Sequence, residues 1–546
     1  MGRAIAGGFF LVLAVTVTQA VTGMSPAAAR STPLPSGAAS DTLLAWGDGG
    51  DDDGKLGDGT TSSRSAPVAV SLPSDTEVTA IAAGDSHSLA LTSTGTVLAW
   101  GDNNDGKLGD GTTTSRSTPV TVSLPSDTEV TAIAAGDSHS LALTSTGTVL
   151  AWGDNNDGKL GDGTTTSRST PAAVSLPPDT TITAIAATSD HSLALTSTGT
   201  VLAWGENNDN KLGDGTFTSR STPVTVNLPP DIKVTAIAAG FDHSLALTST
   251  GTVVAWGENF GKLGDGTTSS RTAPVAVSLP PDTEVTAIAA GDNHSLALTS
   301  TGTVLAWGSN SEGQVGDGTT SRRRSAPVTV DLPPGTTITA ITGGRSHSLA
   351  VTSTGTALAW GENVSGQLGD GTTTNRSTPV TVDLPPATTI TAVAAGDAHS
   401  LALTAPPPVS TTTLQVTPTN PAADQDITLT ATVTCNVDTP TGAITFRSNT
   451  TTLTTTPLTT TATHTTTLPP GTHTITAHYA STNTCPSSQS TPVSLTVAPP
   501  PEEPDEPGLP ITGLNMTTTI GAAALSILAG VILSYAARRR PLHGAR

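Results

Sequence analysis

The chain contains few aromatic and few charged residues. Aromatic residues make up 3% and charged residues 12% of its 546 positions, whereas there are 55 glycines and 40 prolines. Helix-rich enzymes do not have this composition, but proteins made of many short strands and turns do. The sequence therefore predicts an all-β protein, and its length allows several domains.

Basic residues and cysteines are also scarce, and this excludes two kinds of site. With 23 lysines and arginines and a net charge of -21, the chain has no basic surface for nucleic acid. Cys435 and Cys485 are the two cysteines, so no zinc site can be built from cysteine. No nucleophile, base and acid stand out together either. We expect no enzymatic activity, no cofactor and no metal.

Long apolar runs are absent except near the two ends. Residues 1–29 contain Arg3, the apolar run Phe9–Val15 and three alanines at the exit, which predicts a secretory signal peptide cleaved after Ala29. A membrane anchor or a buried strand is the alternative. The run is shorter than the roughly 20 residues that a spanning helix needs.

The C-terminal 38 residues combine a short motif, an apolar segment and a basic tail. The segment 514–537 is long enough for one transmembrane helix, and the arginines 538–540 predict a cytoplasmic end. Together with the motif, this resembles the cell-wall sorting signal of Gram-positive surface proteins. The resemblance implies that a sortase cleaves after the motif's threonine and joins it to peptidoglycan; a plain membrane anchor is the alternative. The motif LPITG consists of Leu509, Pro510, Ile511, Thr512 and Gly513.

A glycine-rich acidic turn, GDNNDGKLGDGT at 101–112, recurs seven times with a period of 51–54 residues. Each copy follows a tryptophan, and one histidine per period keeps the same spacing. Such a period indicates a repeat architecture. The copies are 47–60, 101–112, 153–164, 205–216, 257–267, 308–319 and 361–372, and the histidines are His87, His139, His191, His243, His294, His347 and His399.

Each period contains four strand-like segments, in the order TAIAAG, HSLALT, TVLAWG and STPVTVSLP. Four strands repeated seven times predict a seven-bladed β-propeller over residues 41–404. The array begins at Asp41 and ends at Thr404, in both cases in the middle of a period. The last strands should therefore complete the blade that the first strands begin, which hides the sheet edges.

Residues 82–112, AAGDSHSLALTSTGTVLAWGDNNDGKLGDGT, resemble the repeat of the regulator of chromosome condensation family. The resemblance covers residues 41–404 and implies the propeller fold and a binding function. Members include nucleotide-exchange factors for a nuclear GTPase, and secreted actinobacterial relatives include protein inhibitors of β-lactamases. We do not expect the exchange activity here, because the chain carries a secretion signal, is acidic, and has no insertion that could act as a wedge.

The acidic turn is a poor calcium loop. With Gly106 at position 6 of an EF-hand, Gly101 and Thr112 occupy positions 1 and 12, where carboxylates are needed. We interpret the turn as structural, with Asp and Asn side chains capping the backbone; weak cation binding is the alternative. The seven histidines are too dispersed for one metal. We expect them to stabilise the blades by hydrogen bonds, or to line the ring.

Departures from the repeat mark the candidate binding patch. Three phenylalanines interrupt two neighbouring repeats, and exposed aromatic residues on loops are typical interface anchors. A cluster of arginines interrupts the sixth. Local packing and sequence drift are the alternatives. We expect Phe241→Ala to weaken partner binding and Asp137→Ala to have little effect. The candidate residues are Phe217, Phe241, Phe260, Arg322, Arg323, Arg324 and Arg345.

Residues 409–498 are threonine-rich and alternate polar with apolar positions, as half-buried strands do. The order TLTATVT, GAITF and GTHTITAHY resembles bacterial Ig-like domains, which implies a small β-sandwich. We expect Cys435 and Cys485 to form a disulfide that stabilises the fold by about 3–4 kcal/mol; two free thiols are the alternative. Residues 499–508 form a stiff spacer before the sorting signal at 509–546.

The order of these segments predicts a surface protein anchored to the cell wall of a Gram-positive, actinobacterial cell. The propeller would serve as a protein-binding, ligand-binding or adhesion module. Sortase and peptidoglycan are the expected partners for anchoring, and an extracellular protein or glycan is expected for the propeller. A secreted-type inhibitor is one alternative. A propeller enzyme acting on extracellular glycans is another, which a single carboxylate of raised pKa in a deep pocket would support.

Overall fold

The computed structural model describes residues 43–50 and 53–501, and the strands within these ranges form two separate units. The described part is all-β, with 36 strands. A helix suited to crossing a bilayer does not occur among the residues described. The predicted signal peptide, the sorting signal with its apolar segment, and most of the spacer lie outside the described residues.

The first unit is a propeller of seven four-stranded antiparallel sheets, as the repeats predict. We number the blades by the copy of the acidic turn that each contains. The first blade contains β1 (Leu43–Gly47), β2 (Arg64–Ala69), β27 (Ile390–Ala395) and β28 (His399–Thr404). The second contains β3 (Val78–Ala83), β4 (His87–Thr92), β5 (Val97–Gly101) and β6 (Arg116–Thr121). The third contains β7 (Val130–Ala135), β8 (His139–Thr144), β9 (Val149–Gly153) and β10 (Arg168–Ala173).

The remaining four blades repeat this order without interruption. The fourth contains β11 (Ile182–Ala187), β12 (His191–Thr196), β13 (Val201–Gly205) and β14 (Arg220–Thr225). The fifth contains β15 (Val234–Ala239), β16 (His243–Thr248), β17 (Val253–Gly257) and β18 (Arg271–Ala276). The sixth contains β19 (Val285–Ala290), β20 (His294–Thr299), β21 (Val304–Ser309) and β22 (Arg323–Thr329). The seventh contains β23 (Ile338–Gly343), β24 (His347–Thr352), β25 (Ala357–Gly361) and β26 (Arg376–Thr381).

The first blade closes the ring in the predicted way. Its strand order is β2-β1-β28-β27, so β1 from the start of the repeat array pairs with β28 from its end. The pairing is continuous from Leu43 opposite Leu403 to Gly47 opposite His399. The first blade therefore has four strands like the other six, and the ring closes without a gap between the first and last repeats.

The two middle strands of each blade are buried along their whole length, whereas the outermost strand is half-exposed. This pattern follows from packing blade against blade. A middle strand has a neighbouring blade on each face, so apolar residues occupy both faces rather than alternate positions. Leu89, Ala99 and Trp100 have no solvent-exposed surface.

A belt of hydrogen bonds joins every blade to the next. In the second blade, Nε2 of His87 lies 2.8 Å from Oγ of Ser140 in the third. Oγ of Ser140 donates to the backbone carbonyl of Lys107, which also accepts from Nε1 of Trp152. The hydroxyl proton of Ser140 is used in this way, so the histidine must donate through Nε2. The same bond closes the ring between His399 and Ser88.

These seven histidines, which we call the belt histidines, are fully buried and neutral. Burial lowers the pKa of His139 to about 3 and that of His294 to about 4. Their Nδ1 atoms have no hydrogen-bond partner in the described part of the chain. A proton on Nδ1 would therefore be buried without an acceptor, which explains the direction of the shift. The predicted blade-stabilising role of the histidines is confirmed.

The acidic turn uses its own polar groups, as predicted. Oδ1 of Asn103 accepts from the backbone of Leu108 at 2.9 Å, and Nδ2 donates to the carbonyl of Thr112. Oδ1 of Asp110 accepts from the backbone of Thr112 at 2.9 Å. Oδ2 pairs with Arg116 at 2.9 Å. Burial raises the pKa of Asp110, but the hydrogen bonds from Thr112 and Arg116 outweigh it and lower the pKa overall.

The second unit is a small two-sheet β-structure. One sheet has the order β29-β30-β33 and the other β32-β31-β34-β35, with β36 also paired to β34. Phe446 and Tyr479 lie in its core, and Cys435 forms a disulfide with Cys485. The strands are β29 (Ser410–Thr417), β30 (Ile427–Cys435), β31 (Gly442–Ser448), β32 (Thr451–Leu458), β33 (Thr461–Thr466), β34 (Gly471–Ser481), β35 (Ser488–Gln489) and β36 (Val493–Val497).

Candidate functional site at the mouth of the propeller

The turns that differ most between repeats lie at one end of the propeller. In each blade a tight turn leads from the first strand to the strand that starts with the belt histidine, as between β3 and β4. The histidine pairs with the glycine that ends the third strand, as His87 does with Gly101. The tight turn and the acidic turn therefore leave every blade at the same end.

A cavity of about 390 Å³ opens at this end, and we call it the central mouth. The residue two places before each belt histidine is aspartate in four blades and serine, phenylalanine or arginine in the other three. Six of these seven residues line the mouth, and Ser189 is the exception. They are Asp397, Asp85, Asp137, Phe241, Asp292 and Arg345.

The backbone beneath this ring is tightly packed, which explains the glycine that precedes most of these residues. A Cβ atom on Gly84 would lie 2.2 Å from the carbonyl oxygen of Gly136 in the next blade and 2.8 Å from the ring of His87. No side chain fits there without displacing backbone. The residue after the glycine is therefore fixed in position while its side chain is free to vary.

Four carboxyl groups repel one another in the central mouth. Burial, followed by the negative charge of Asp397, raises the pKa of Asp85 to about 6. Burial and the charges of Asp397 and Asp85 raise the pKa of Asp292 to about 7. The pKa of Asp137 is raised well above its usual value, first by burial and then by Asp292 and Asp85. The raised pKa values show that the carboxyl groups of the mouth lack sufficient compensating cations, so that some of them take up protons near neutral pH.

One cation belongs to this ring. Arg345 lies 3.4 Å from Asp397, and this carboxylate raises the pKa of the guanidinium. By contrast, the side chains of Asp137 and Asp292 make no hydrogen bond or ion pair with any residue between 43 and 501 that the structure describes. The single arginine cannot compensate four carboxyl groups that come from four other blades.

In five blades, an acidic residue just outside the ring is compensated by the lysine of the acidic turn. Nζ of Lys159 lies 2.8 Å from Asp154 and 2.6 Å from Asp190. Lys107 pairs with Asp102 in the same way. The acids of these turns are therefore already occupied by cations of the chain itself.

The described residues include one group whose carboxylates could meet at a metal. Ligand atoms of Glu206, Asp209 and Asp242 lie within 4.8 Å of one another. Nζ of Lys211 lies 2.5 Å from Glu206 and 3.0 Å from Asp242, so an ammonium group already occupies this cluster. The aspartates of the central mouth do not form such a group among the described residues.

The structure brings most of the predicted patch together at one end of the propeller. Phe241 and Phe260 are 38% and 60% exposed. Phe260, with Arg322 and Arg323, lines a second cavity of about 190 Å³, which shares Glu258, Lys262 and Asn293 with the central mouth. Phe260 also has a backbone φ of 31°, which is unusual for an aromatic residue and follows from the shortened loop.

Two residues of the predicted patch have a different place. Phe217 is 63% exposed in the connection between β13 and β14, at the same end of the fourth blade, but it lines neither cavity. Arg324 pairs with Asp317 at 2.5 Å, as Arg116 does with Asp110. It is therefore the regular arginine of the repeat, and the irregularity of the sixth repeat consists of the residues before it.

Sequence reasoning missed the aspartates of the central mouth. It placed Asp137 among residues without effect on binding, whereas the structure places it inside the cavity. The available signal was the variation at one position of the repeat, where aspartate alternates with serine, phenylalanine and arginine. Because aspartate fills this position in four of the seven copies, it did not stand out as a departure from the repeat.

Comparisons with known proteins agree with this architecture. A model of the RCC1-like domain matches residues 42–402, and a model of the bacterial Ig-like domain (group 3) matches residues 414–498. The chain is 32% identical over 362 residues to the ultraviolet-B receptor UVR8 of Arabidopsis thaliana, covering 66% of this chain and 81% of the receptor. It is 35% identical over 338 residues to the human E3 ubiquitin-protein ligase HERC2, covering 60% of this chain and 7% of the ligase.

Solved structures give the same result for the propeller. The Prp20p structure from Saccharomyces cerevisiae has a TM-score of 0.61 and 27% identity, and the match covers 67% of this chain and 92% of Prp20p. Human WBSCR16 has a TM-score of 0.59 and 25% identity, with 67% of this chain and 99% of WBSCR16 covered.

Proposed function

The chain belongs to the family of RCC1-like domain proteins, and from this premise we propose that its propeller binds a partner protein through the central mouth. The observation that carries the proposal is the mouth itself. It places the exposed Phe241 beside carboxyl groups that lack compensating cations, at the end of the ring where the repeats differ from one another. Aromatic side chains beside a polar cavity are typical anchors of protein interfaces.

The relatives support a binding role in general terms. Prp20p has binding properties toward Gsp1p and histones. We do not extend these partners to this chain. HERC2 is named a ligase, but the match covers 7% of it, so its enzymatic activity is not implied for this propeller.

Truncation of Phe241 in the central mouth and of Phe260 in the adjoining second cavity tests the proposal. We would compare capture of extracellular proteins by the chain, and then the Kd of the partner identified, for the wild type and for Phe241→Ala/Phe260→Ala. Loss of interface anchors should weaken binding at least tenfold. Phe217→Ala is the matched control, because it removes an equally exposed phenylalanine outside both cavities. Equal affinity of the double variant and the wild type would show that the partner docks elsewhere.

We also propose that the protein is displayed on the cell wall of a Gram-positive, actinobacterial cell. The support is the LPITG motif at 509–513 followed by an apolar segment and three arginines. Thr512→Ala should then shift the protein from the wall fraction to the membrane or the medium. Wall attachment that survives this substitution would contradict sortase anchoring. A partner that is an extracellular enzyme would make the propeller an inhibitor, which is the alternative stated from the sequence.

An enzyme acting on glycans is the second candidate, because carboxyl groups of raised pKa can act as general acids. Asp292, with a pKa of about 7, has this property. The same position carries aspartate in three other blades, however, and burial and mutual repulsion explain the shift. Hydrolysis of extracellular polysaccharides that is abolished by Asp292→Asn would favour the enzyme over the binding module.

A further inference from the structure

We propose that the central mouth receives a lysine or arginine side chain of the partner protein. This inference rests on the proposed function and names the chemistry that the mouth recognises. Three observations support it. Carboxyl groups of the mouth lack a cationic partner, the chain's other acidic cluster holds a lysine, and the cavity has a suitable size and lining.

Acidic residues of the mouth and of the surrounding turns differ in whether they have a cationic partner. In five blades a lysine of the acidic turn pairs with the acid that follows the tryptophan and glycine, as Lys262 does with Glu258 at 2.5 Å. Asp137 and Asp292 project into the cavity without such a partner among the described residues. A cationic ligand would supply the missing charge.

The chain itself shows which cation its carboxylates take. Where three acids converge, at Glu206, Asp209 and Asp242, the ammonium group of Lys211 lies among them. The aspartates of the mouth come from separate blades, and no three of them in the described part of the chain bring ligand atoms within 4.8 Å of one another, so a bare metal ion could not contact three of them at once. An ammonium or guanidinium group with several donors can bridge dispersed carboxylates.

The cavity has the size and lining for such a side chain. Its 390 Å³ correspond to roughly a dozen water molecules at about 30 Å³ each. Phe241 is part of the lining, and an aromatic ring can contact a cation or the apolar stem that carries it. The alanines of the innermost strands, such as Ala83 and Ala135, form part of the wall.

Binding of model peptides to the full chain tests the inference. The probes are fluorescent hexalysine and hexaarginine peptides at 150 mM salt, with hexalysine acetylated on every side chain as the neutral control. We compare the wild type with Asp137→Asn/Asp292→Asn. The matched control is Asp127→Asn/Asp179→Asn, which removes two exposed aspartates from turns at the opposite end of the blades. Asparagine tolerates their positive φ angles of 59° and 57°.

We expect the mouth variant to raise the Kd of the cationic peptides at least tenfold and the control variant to change it less than twofold. Equal losses in both variants would mean that the net charge of -21 attracts the peptides without a site, and would overturn the inference. Absence of binding by the wild type would overturn it too. Thermal unfolding verifies folding. The mouth substitutions remove repelling groups and the control substitutions keep the backbone conformation, so neither variant should melt lower than the wild type.

The outcomes for this inference and for the proposed function are separable. If Phe241→Ala/Phe260→Ala abolishes partner binding but the wild type binds no cationic peptide, the proposed docking surface is supported. The proposal that the mouth receives a lysine or arginine is then refuted. If the wild type binds cationic peptides at the mouth but Phe241→Ala/Phe260→Ala leaves partner binding unchanged, the proposed docking surface is refuted instead.

Discussion

Two positions of the repeat, two residues apart, differ in how far they vary around the ring. The position of His139 holds histidine in all seven blades, and each copy is fully buried. The position of Asp137 holds aspartate four times and serine, phenylalanine and arginine once each. The two side chains leave the same turn, but one enters the belt and the other enters the central mouth.

The difference is physical. A belt histidine must donate to the serine of the next blade and fit against the glycine of its own turn, and both partners are the same in nearly every blade. A residue of the mouth meets only the cavity and the other members of the ring. Variation at the mouth therefore leaves the fold intact, whereas variation in the belt would break a contact between blades.

The largest effect that tests this contrast is acid unfolding. The folded-state pKa values of the belt histidines lie below the unfolded value of 6.5, so unfolding takes up protons once the pH falls below about 6.5. The raised pKa values of Asp85, Asp137 and Asp292 act in the opposite direction, because the folded state takes up those protons.

Seven histidines against three aspartates leave a net uptake of about four protons on unfolding. The propeller should then lose on the order of 5 kcal/mol of stability per pH unit between about pH 6 and 4.5. Thermal unfolding followed by circular dichroism across this range measures the loss. A melting temperature that stays constant from pH 7 to 5 would show that the belt histidines are not held neutral.

Removal of one belt histidine should have the next largest effect. His139→Ala deletes a buried ring and the bond to Ser192, which is 2.8 Å long, and should cost about 3–4 kcal/mol of unfolding free energy. A double-mutant cycle with Ser192→Ala should give a coupling above about 0.5 kcal/mol. Ser295, which bonds His243 rather than His139, is the control partner, and its cycle with His139→Ala should be additive.

At the central mouth, a substitution should stabilise the fold, whereas a substitution in the belt should destabilise it. Asp292→Asn removes a charge that Asp397 and Asp85 repel, so above pH 7 it should stabilise the fold, by about 1 kcal/mol or roughly 2 °C in Tm. The gain should vanish at pH 5, where the folded state of the wild type has Asp292 protonated. Asp127→Asn should leave Tm unchanged at both pH values. Destabilisation by Asp292→Asn would mean that the mouth carboxylates support the fold.

Chelation should have the smallest effect. Because Asp110 and its equivalents are engaged by threonine and arginine, removal of divalent cations by EDTA should change Tm by less than about 1 °C. Scanning calorimetry with and without added calcium measures this. A large loss that calcium reverses would show that the acidic turns bind the ion.

The sequence predicted the fold well because the fold is repetitive. Seven near-identical copies of the segments typified by TVLAWG and HSLALT specify the strands, and the incomplete periods at the two ends specify the closure of the ring. The tightly bonded belt also followed from the regular histidines. The candidate site was predicted only in part, since Phe241, Phe260 and Arg345 stood out as departures from the repeat.

The rest of the site could not be read from the chain, because its character depends on distances across the ring. Asp137 and Asp292 lie 155 residues apart in sequence, and only closure of the blades makes their charges repel each other. Conversely, Arg324 looked irregular, because an inserted residue hides that it occupies the regular place opposite Asp317. In both cases the role of the residue depends on its neighbours in space and not on its type.

The closure of the ring has a mechanical consequence. Tension applied through the C-terminal part of the chain enters the propeller at Thr404, the last residue of β28. This strand lies between β1 and β27 and is hydrogen-bonded to both along its length. To pull it out, force must shear two ladders at once rather than peel an edge strand bond by bond. The joint between the first and last repeats is thus a clamp that resists traction on the propeller from its C-terminal side.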